Sequence, residues 1–558
     1  MKTPESIPAP ETRGHRLPAR VNLAMFTALT VLLAFLVVRA PQTAPPAIAE
    51  FAPHAVEQIT EAPPEQASGL GGSAGETGAE GGAEGTGSTR EPGSSSGDET
   101  TVATALRCIG DPPRQIEDPQ SPPCVPFWQG DNGGATSKGV TEKEINIVMP
   151  EAPELHLDFE AFFNSRFQFY GRKIKLIFNG GDFQGGSYAS LHQAGAQKAD
   201  EVHKAFASGD GQLADMSVYR TELARRNIIS VAWQTHSSEQ AMAEYHPYMW
   251  QYPMSNDRIF GEFGEWICVR LAERSASHAG DPTFQGRQRS FGLVTHQTLA
   301  RQDVTPLKQE LERCGVRLLV DETVTLTSED DTQRNLDIVL KLKTNEVTSL
   351  LCLCYTGSML KLMNTAGGQG YLPEWLITSY HNLQSHFQGQ TYPKNQSSSM
   401  FGLTMYSRDV HSGDDPAMWA MREVNPSRWS SPEQGSEGVN RQTIHLLYKQ
   451  LLLLASGIQL AGPNLTPDSF ARGLQRATFP NPDHPIRAGT VGFAGNTHSM
   501  MKDAAEFWYS PFARSTYDTP GAFCFVDGGT RRRSGTYPRE EASPFFSGPC
   551  DAGHRRVS

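Results

Sequence analysis

Four short apolar runs each lead into side chains suited to small-molecule recognition. Thr235, His236, Ser237 and Ser238 follow Ile228–Ala232, and His296 and Gln297 follow Phe291–Thr295. Tyr355 and Thr356 follow Leu350–Cys354, and Tyr380 and His381 lie just beyond Leu376–Thr378. Hydroxyls, amides and aromatic rings at such positions can hold a small polar solute by hydrogen bonds and flat contacts. The ordinary alternative for each hydroxyl is a helix N-cap, which uses the same residue types.

Bond-breaking chemistry has no comparable signature. No G-x-S-x-G elbow, P-loop, H-E-x-x-H or dinucleotide fingerprint stands between a strand and a helix. The G-x-S-x-G match around Ser73 sits in a Gly-rich low-complexity tract, where glycines mean flexibility. The 16 histidines are scattered, and His381 with His386 lacks the i, i+4 spacing of a helical zinc site. The chain is therefore read as a non-enzyme without cofactor or metal, with an α/β hydrolytic enzyme kept as a remote alternative. A net charge of −12 with no long Lys/Arg run argues against nucleic acid, which needs clustered cations against phosphates.

The elements that must carry these residues are short apolar strands alternating with amphipathic helices between about 140 and 535. Further strands are expected at Ile145–Met149, Ile174–Phe178 and Val316–Val320. Ile444, Leu447, Tyr448, Leu451 and Ala455 recur at helical spacing in 440–457. Continuous apolar strands separated by helices mean parallel sheets covered on both faces. One strand–helix set runs to Ala232 and a second begins at Phe291, so two α/β lobes are expected. Ligands lie beyond the carboxyl ends of strands in open α/β sheets, which places a cleft between the lobes.

Residues 1–20 are basic (Lys2, Arg13, Arg16, Arg20), and 21–38 carry no charge over a length just sufficient to span a bilayer. The charge asymmetry orients such a span N-inside, with the rest outside. A cleaved signal peptide is the rival reading, and it exports the rest equally. Residues 39–125, rich in Pro, Gly, Glu and Ser, read as a disordered stalk below a head at 126–540, with 541–558 a tail. The eight cysteines fit an exported chain. Cys108 with Cys124, and Cys524 with Cys550, make local staples, and Cys268 can pair with Cys314 if their helices adjoin. Cys352 and Cys354, two apart in a strand, face one side and are read as buried free thiols.

Three segments in order resemble a known family. Gly130–Pro150 (GDNGGATSKGVTEKEINIVMP), Tyr219–Ile229 (YRTELARRNII), and Asp503–Pro511 (DAAEFWYSP) with Thr519–Gly529 (TPGAFCFVDGG) are similar to actinobacterial extracellular ligand-binding receptors. These belong to the periplasmic binding protein type I superfamily and are relatives of branched-chain amino-acid ABC transporter substrate-binding proteins. The resemblance implies a two-lobed type I fold whose chain crosses between lobes three times. It places the crossings near 248–254, 400–406 and 490–494, with lobe one at 140–250 and 406–488 and lobe two at 251–405 and 489–535. It also implies that Thr235 and Ser237 hold a ligand carboxylate and that an ABC permease receives the solute, while the strand-end positions offer His236, His296, Gln297, Tyr355, Thr356 and Tyr380 as further residues lining the cleft. Amino-acid-binding relatives grip the ligand ammonium with a carboxylate. None directly follows the second-lobe strands, so the expected ligand is not a simple α-amino acid. Two departures stand out: a membrane helix in place of a lipid anchor, and only Leu213 and Ala214 to form the strand before the ELARR helix. A tethered sensor or scaffold is the alternative function.

Overall fold

The computed structural model describes residues 108–550, apart from 110–112, 181–187, 212–215, 235–236, 298, 300, 325–331, 381–382, 384, 409, 411–412, 430–440, 482–487, 494, 496, 517–518 and 540–543. The apolar run at 21–38 and the low-complexity tract up to 107 lie outside the described residues.

The first sheet has five parallel strands: β1 (Glu144–Met149), β2 (Lys173–Phe178), β3 (Ala207–Gly209), β4 (Ile229–Ala232) and β5 (Met249–Gln251). Their order is β2-β1-β3-β4-β5. Ile147 on β1 stands in register with Leu176 on one side and Ala207 on the other. Helices α1 (Pro153–Arg166), α2 (Tyr188–Glu201), α3 (Ser217–Arg225) and α4 (Glu239–Glu244) connect these strands. Burial on both faces explains why β1 and β4 read as unbroken apolar runs.

β3 corrects the sequence reading, which looked for this strand at Leu213 and Ala214. The strand is Ala-Ser-Gly, and it occupies the middle of the sheet. Its residues are small because another element lies on top of it. A Cβ at Gly209 would stand 2.5 Å from the Gln450 Oε1 and 2.6 Å from the Met149 Cε.

The second sheet runs β6 (Phe291–His296), β7 (Leu318–Val324), β8 (Ser349–Leu353), β9 (Glu374–Thr378), β10 (Met400–Thr404), β11 (Ala504–Arg514), β12 (Pro520–Phe525) and the short β13 (Arg531–Arg532). Strands β7-β6-β8-β9-β10 are parallel neighbours, and β11 and β12 continue the sheet antiparallel. Helices α5 (Asn256–Arg270) and α6 (Arg301–Arg313) cross closely at Gly264, where a Cβ would fall 2.9 Å from the Leu307 carbonyl. The Cys268–Cys314 disulfide closes that helix pair. Helices α7 (Thr332–Thr344) and α8 (Thr356–Gly368) follow β7 and β8.

The chain leaves the first sheet after β5, since Trp266 and Arg270 of α5 both bond Glu506 on β11. It returns after β10: Trp419 of the next helix, α9 (Pro416–Val424), meets Phe162 of α1 edge-to-face at 5.6 Å. The buried α10 (Arg441–Ala461) and the short α11 (Pro467–Arg476) complete that lobe, and the chain leaves again to form β11. Among the described residues α10 is the helix long and apolar enough to cross a membrane, but most of it is buried inside the protein. Its apolar stripe, expected from Ile444, Leu447, Tyr448 and Leu451, faces the core.

The ordered head begins earlier than position 126. The Cys108–Cys124 disulfide closes a loop whose Asp118 accepts a 2.7 Å hydrogen bond from the buried Lys449 ammonium. Gln120 accepts from Lys449 at 2.9 Å and from the Tyr252 hydroxyl at 2.8 Å. These partners on α10 and after β5 hold a Pro-rich stretch that has little apolar surface of its own. At the other end, Phe545 is buried against Trp266, and Cys524–Cys550 is a disulfide, so packing extends into the expected tail.

Cys352 and Cys354 are also joined, which overturns the reading as free thiols. Positions i and i+2 of an extended strand stand about 6.6 Å apart. β8 ends at Leu353, and the two Cα atoms stand 5.2 Å apart, well inside disulfide range.

Candidate functional site

Each parallel sheet presents its carboxyl-terminal edge to the same region. Tyr406, two residues beyond β10, donates its hydroxyl to the carbonyl of Trp233, the residue after β4, at 3.0 Å. Tyr355, Tyr380 and Tyr406 belong to the same continuous apolar cluster as Trp233 and Tyr252. The strand ends of the two lobes therefore meet.

The edge from the second sheet carries a row of rings. His296 ends β6, Tyr355 follows β8 and Tyr380 follows β9. The His296 and Tyr355 rings lie 3.8 Å apart between centroids, and Tyr355 and Tyr380 are stacked at 6.1 Å. Phe260 of α5 closes the row edge-to-face on Tyr380 at 5.7 Å. Strand order explains the grouping, because β6, β8 and β9 are consecutive neighbours in the sheet although far apart in sequence. All three residues are buried. Gln297 is exposed, and its backbone N–H bonds the Val324 carbonyl, which makes it part of the β6–β7 register. Thr356 is half-buried at the start of α8.

The edge from the first sheet is acidic. Asp210 follows β3 and is 3 % exposed; its Oδ1 accepts from the Trp233 N–H at 3.1 Å and from Gln450 Nε2 at 2.7 Å. Burial pushes the Asp210 carboxyl up to about 7, against the pull of the Arg220 guanidinium, with Glu151 adding repulsion. Arg220 on α3 is buried too, and burial lowers its pKa to about 10. Its guanidinium donates to the Ser237 hydroxyl oxygen at 3.1 Å and to the Trp250 carbonyl at 3.0 Å. Met149, Glu151, Ala152, Asp210, Trp233 and the α10 residues Thr443, Leu446 and Leu447 enclose a void of about 10 Å³, room for roughly one water. Ala152 is held at φ 50° there, a conformation that side-chain-bearing residues rarely adopt.

Of the residues singled out from sequence, His296, Tyr355 and Tyr380 are brought together and Ser237 is placed beside Arg220. Ser238 is the N-cap of α4, accepting from the Ala241 N–H at 3.2 Å, which is the ordinary role weighed for it. Thr235, His236 and His381 lie outside the described residues. Sequence reasoning passed over Asp210, Arg220, Trp233 and Tyr406. Asp210 is the centre of a Gly-Asp-Gly turn, a signal that becomes readable once Ala207–Gly209 is recognised as a strand.

No family model matches the sequence, and no curated protein matches it either. Among solved structures the chain is similar to an ABC transporter substrate-binding protein from Aeropyrum pernix, at 13% identity and TM-score 0.48, over 66% of this chain and 92% of that one. It is also similar to the branched-chain amino acid transporter substrate-binding protein LivJ from Streptococcus pneumoniae in complex with isoleucine, at 12% identity and TM-score 0.47, over 69% and 99%. A periplasmic binding protein type 1 from Bordetella pertussis Tohama I is similar at 11% identity and TM-score 0.46, over 66% and 96%.

Proposed function

We propose that the chain is an extracytoplasmic binding protein that takes a small polar solute between its two lobes and passes it to an ABC-type permease. The observation that carries this reading is the meeting of two parallel-sheet carboxyl edges, marked by the Tyr406–Trp233 bond. Open α/β sheets bind ligands at that edge. Two such edges joined by three chain crossings make a hinge that closes on what lies between them.

The side chains at the two edges favour a solute with unlike ends. A flat or apolar face suits the rings of His296, Tyr355 and Tyr380, and a hydrogen-bond donor suits the carboxylates of Glu151 and Asp210. Those carboxylates stand on the first lobe, so a cationic or hydroxylated group has a partner that the second-lobe loops alone do not provide. Because the three rings are buried, a solute reaches them when the lobes part. The apolar run at 21–38 and its basic flank support a single-pass anchor with the head outside the cell membrane. The disulfides joining all eight cysteines agree with that compartment.

A thermal-shift screen of the full chain in lipid nanodiscs, against amino acids, peptides, sugars and organic acids, tests the reading. A solute at a hundred times its Kd stabilises the folded state by about 2.7 kcal/mol, a visible rise in melting temperature. One coherent chemical class of hits is the expected result. A flat screen would favour the second reading, a tethered sensor or scaffold. The observation on that side is how closely the rings and the Asp210 surroundings already fill the junction.

A further inference from the structure

A second pocket, of about 650 Å³, opens beside the crossings between the lobes and away from the strand ends. Its walls come from the outer face of α5 (Asp257, Arg258, Gly261, Glu262), from Glu310 on α6, and from the stretch that leaves α11 on its way to β11. Pockets that hold small organic molecules run from about 300 to 1,000 Å³, so the space is of ligand size. None of the residues at the strand-end site lines it.

Its lining holds three carboxyls and three cations, and among the described residues no ion pair joins one of them to another. The acids there have partners: Asp257 accepts from the Glu239 N–H at 3.1 Å, and Glu310 pairs with Arg313 at 2.7 Å. Glu262 accepts from the Tyr537 hydroxyl at 2.5 Å, and burial raises its pKa to about 7, so near neutrality it carries only part of a charge. Arg258 is held by the Ser499 hydroxyl at 2.8 Å and lies 3.7 Å from Glu239. Two cations remain. Lys502 donates to the Thr497 hydroxyl at 2.8 Å, and among the described residues neither Lys502 nor Arg533 forms an ion pair with a carboxylate. Burial and the neighbouring Arg258 lower the Lys502 pKa to about 8, with Glu239 pulling the other way. Beside these cations stand Phe479, Val491 and Phe493, an apolar wall.

We propose that this pocket binds a carboxylate-bearing molecule with an aromatic or aliphatic body, its carboxylate held by Lys502 and Arg533 and its body laid on Phe479, Val491 and Phe493. An ammonium and a guanidinium facing one anion give charge-assisted hydrogen bonds, and the adjoining apolar wall excludes water from them. The site is separate from the strand-end region and stands whether or not that region holds a solute.

Photolabelling with 4-benzoylbenzoate, a carboxylate on an aromatic body, tests it. The full chain in lipid nanodiscs is irradiated with increasing probe, and the labelled peptides are mapped by mass spectrometry. The expected result is saturable labelling of peptides spanning 257–262 or 477–493, suppressed by excess benzoate. Lys502→Gln and Arg533→Gln should each raise the half-saturating concentration about tenfold, the worth of one hydrogen bond to a charged group. Lys502→Arg should restore it, which separates loss of the cation from loss of the fold. Labelling confined to peptides 349–356 or 374–380 would overturn the proposal. So would labelling that does not saturate, or that both glutamine variants leave unchanged.

Discussion

Replacing Asp210 with Asn should change how stability depends on pH, in a direction set by burial. Asp210 is 3 % exposed and its pKa is raised to about 7, against about 3.9 for an aspartate in an unfolded chain. The folded protein therefore holds this proton more tightly than the unfolded one between pH 4 and 7. Its contribution is fully present below pH 4 and is lost as the pH rises through 7. With each pH unit worth about 1.4 kcal/mol, the loss reaches about 4 kcal/mol. Asn keeps an oxygen to accept from the Trp233 N–H and Gln450, and it does not ionise. Urea denaturation of both proteins at intervals from pH 4 to 8 reads the effect. The difference between them cancels every other titrating group, including Glu262, which burial also raises to about 7. The variant should gain on the wild type by up to about 4 kcal/mol across that range. A difference that stays flat, or one that moves against the variant as pH rises, would refute the reasoning. It would mean that Arg220 holds Asp210 ionised throughout.

Two further stability predictions rest on buried contacts. Glu374 is fully buried and accepts from Arg289 at 2.7 and 2.9 Å and from the Ser349 hydroxyl at 2.6 Å. Glu374→Gln should cost about 3–5 kcal/mol in urea denaturation because it leaves the guanidinium buried and uncompensated; a loss below about 1 kcal/mol would show that water reaches the pair. Gly457 of α10 packs on Phe470 of α11, and an added Cβ would fall 2.2 Å from that ring. Gly457→Ala should therefore destabilise by about 1–3 kcal/mol despite better helix propensity, and a raised melting temperature would show that the ring can turn aside.

The strands at Ile145–Met149 and Leu350–Cys354 were legible because both faces lie in the core and leave nearly continuous apolar runs, whereas Ile174–Phe178, at the sheet edge, buries Ile174 and Leu176 and exposes Lys175 and Phe178. The long helix Arg441–Ala461 was legible because its stripe repeats at helical spacing. β3 was not, since its Ala-Ser-Gly composition answers to Gln450, a residue far along the chain that sits on it. Missing β3 hid Asp210, because a residue is read as strand-end chemistry only when its strand is known. His296, Tyr355 and Tyr380 could be singled out one by one, but their stacking depends on the order of β6, β8 and β9, which sequence does not display. Cys352 and Cys354 were placed on one face correctly. That the two thiols are joined and not left free has no local signature in the sequence.

The central claim, that the two strand edges close on a small solute, is tested most directly by calorimetric titration. The solute class found by thermal shift is titrated into the wild type and into Tyr355→Ala, with Tyr355→Phe as the conservative control. Tyr355 is stacked on Tyr380 and tilted against His296, and an aromatic contact is worth about 0.5–1.5 kcal/mol beyond the area it covers. The account predicts binding at one site per chain, weakened about tenfold or more by Tyr355→Ala and largely retained by Tyr355→Phe. Binding that both variants leave untouched, or no binding by any solute tested, would contradict it.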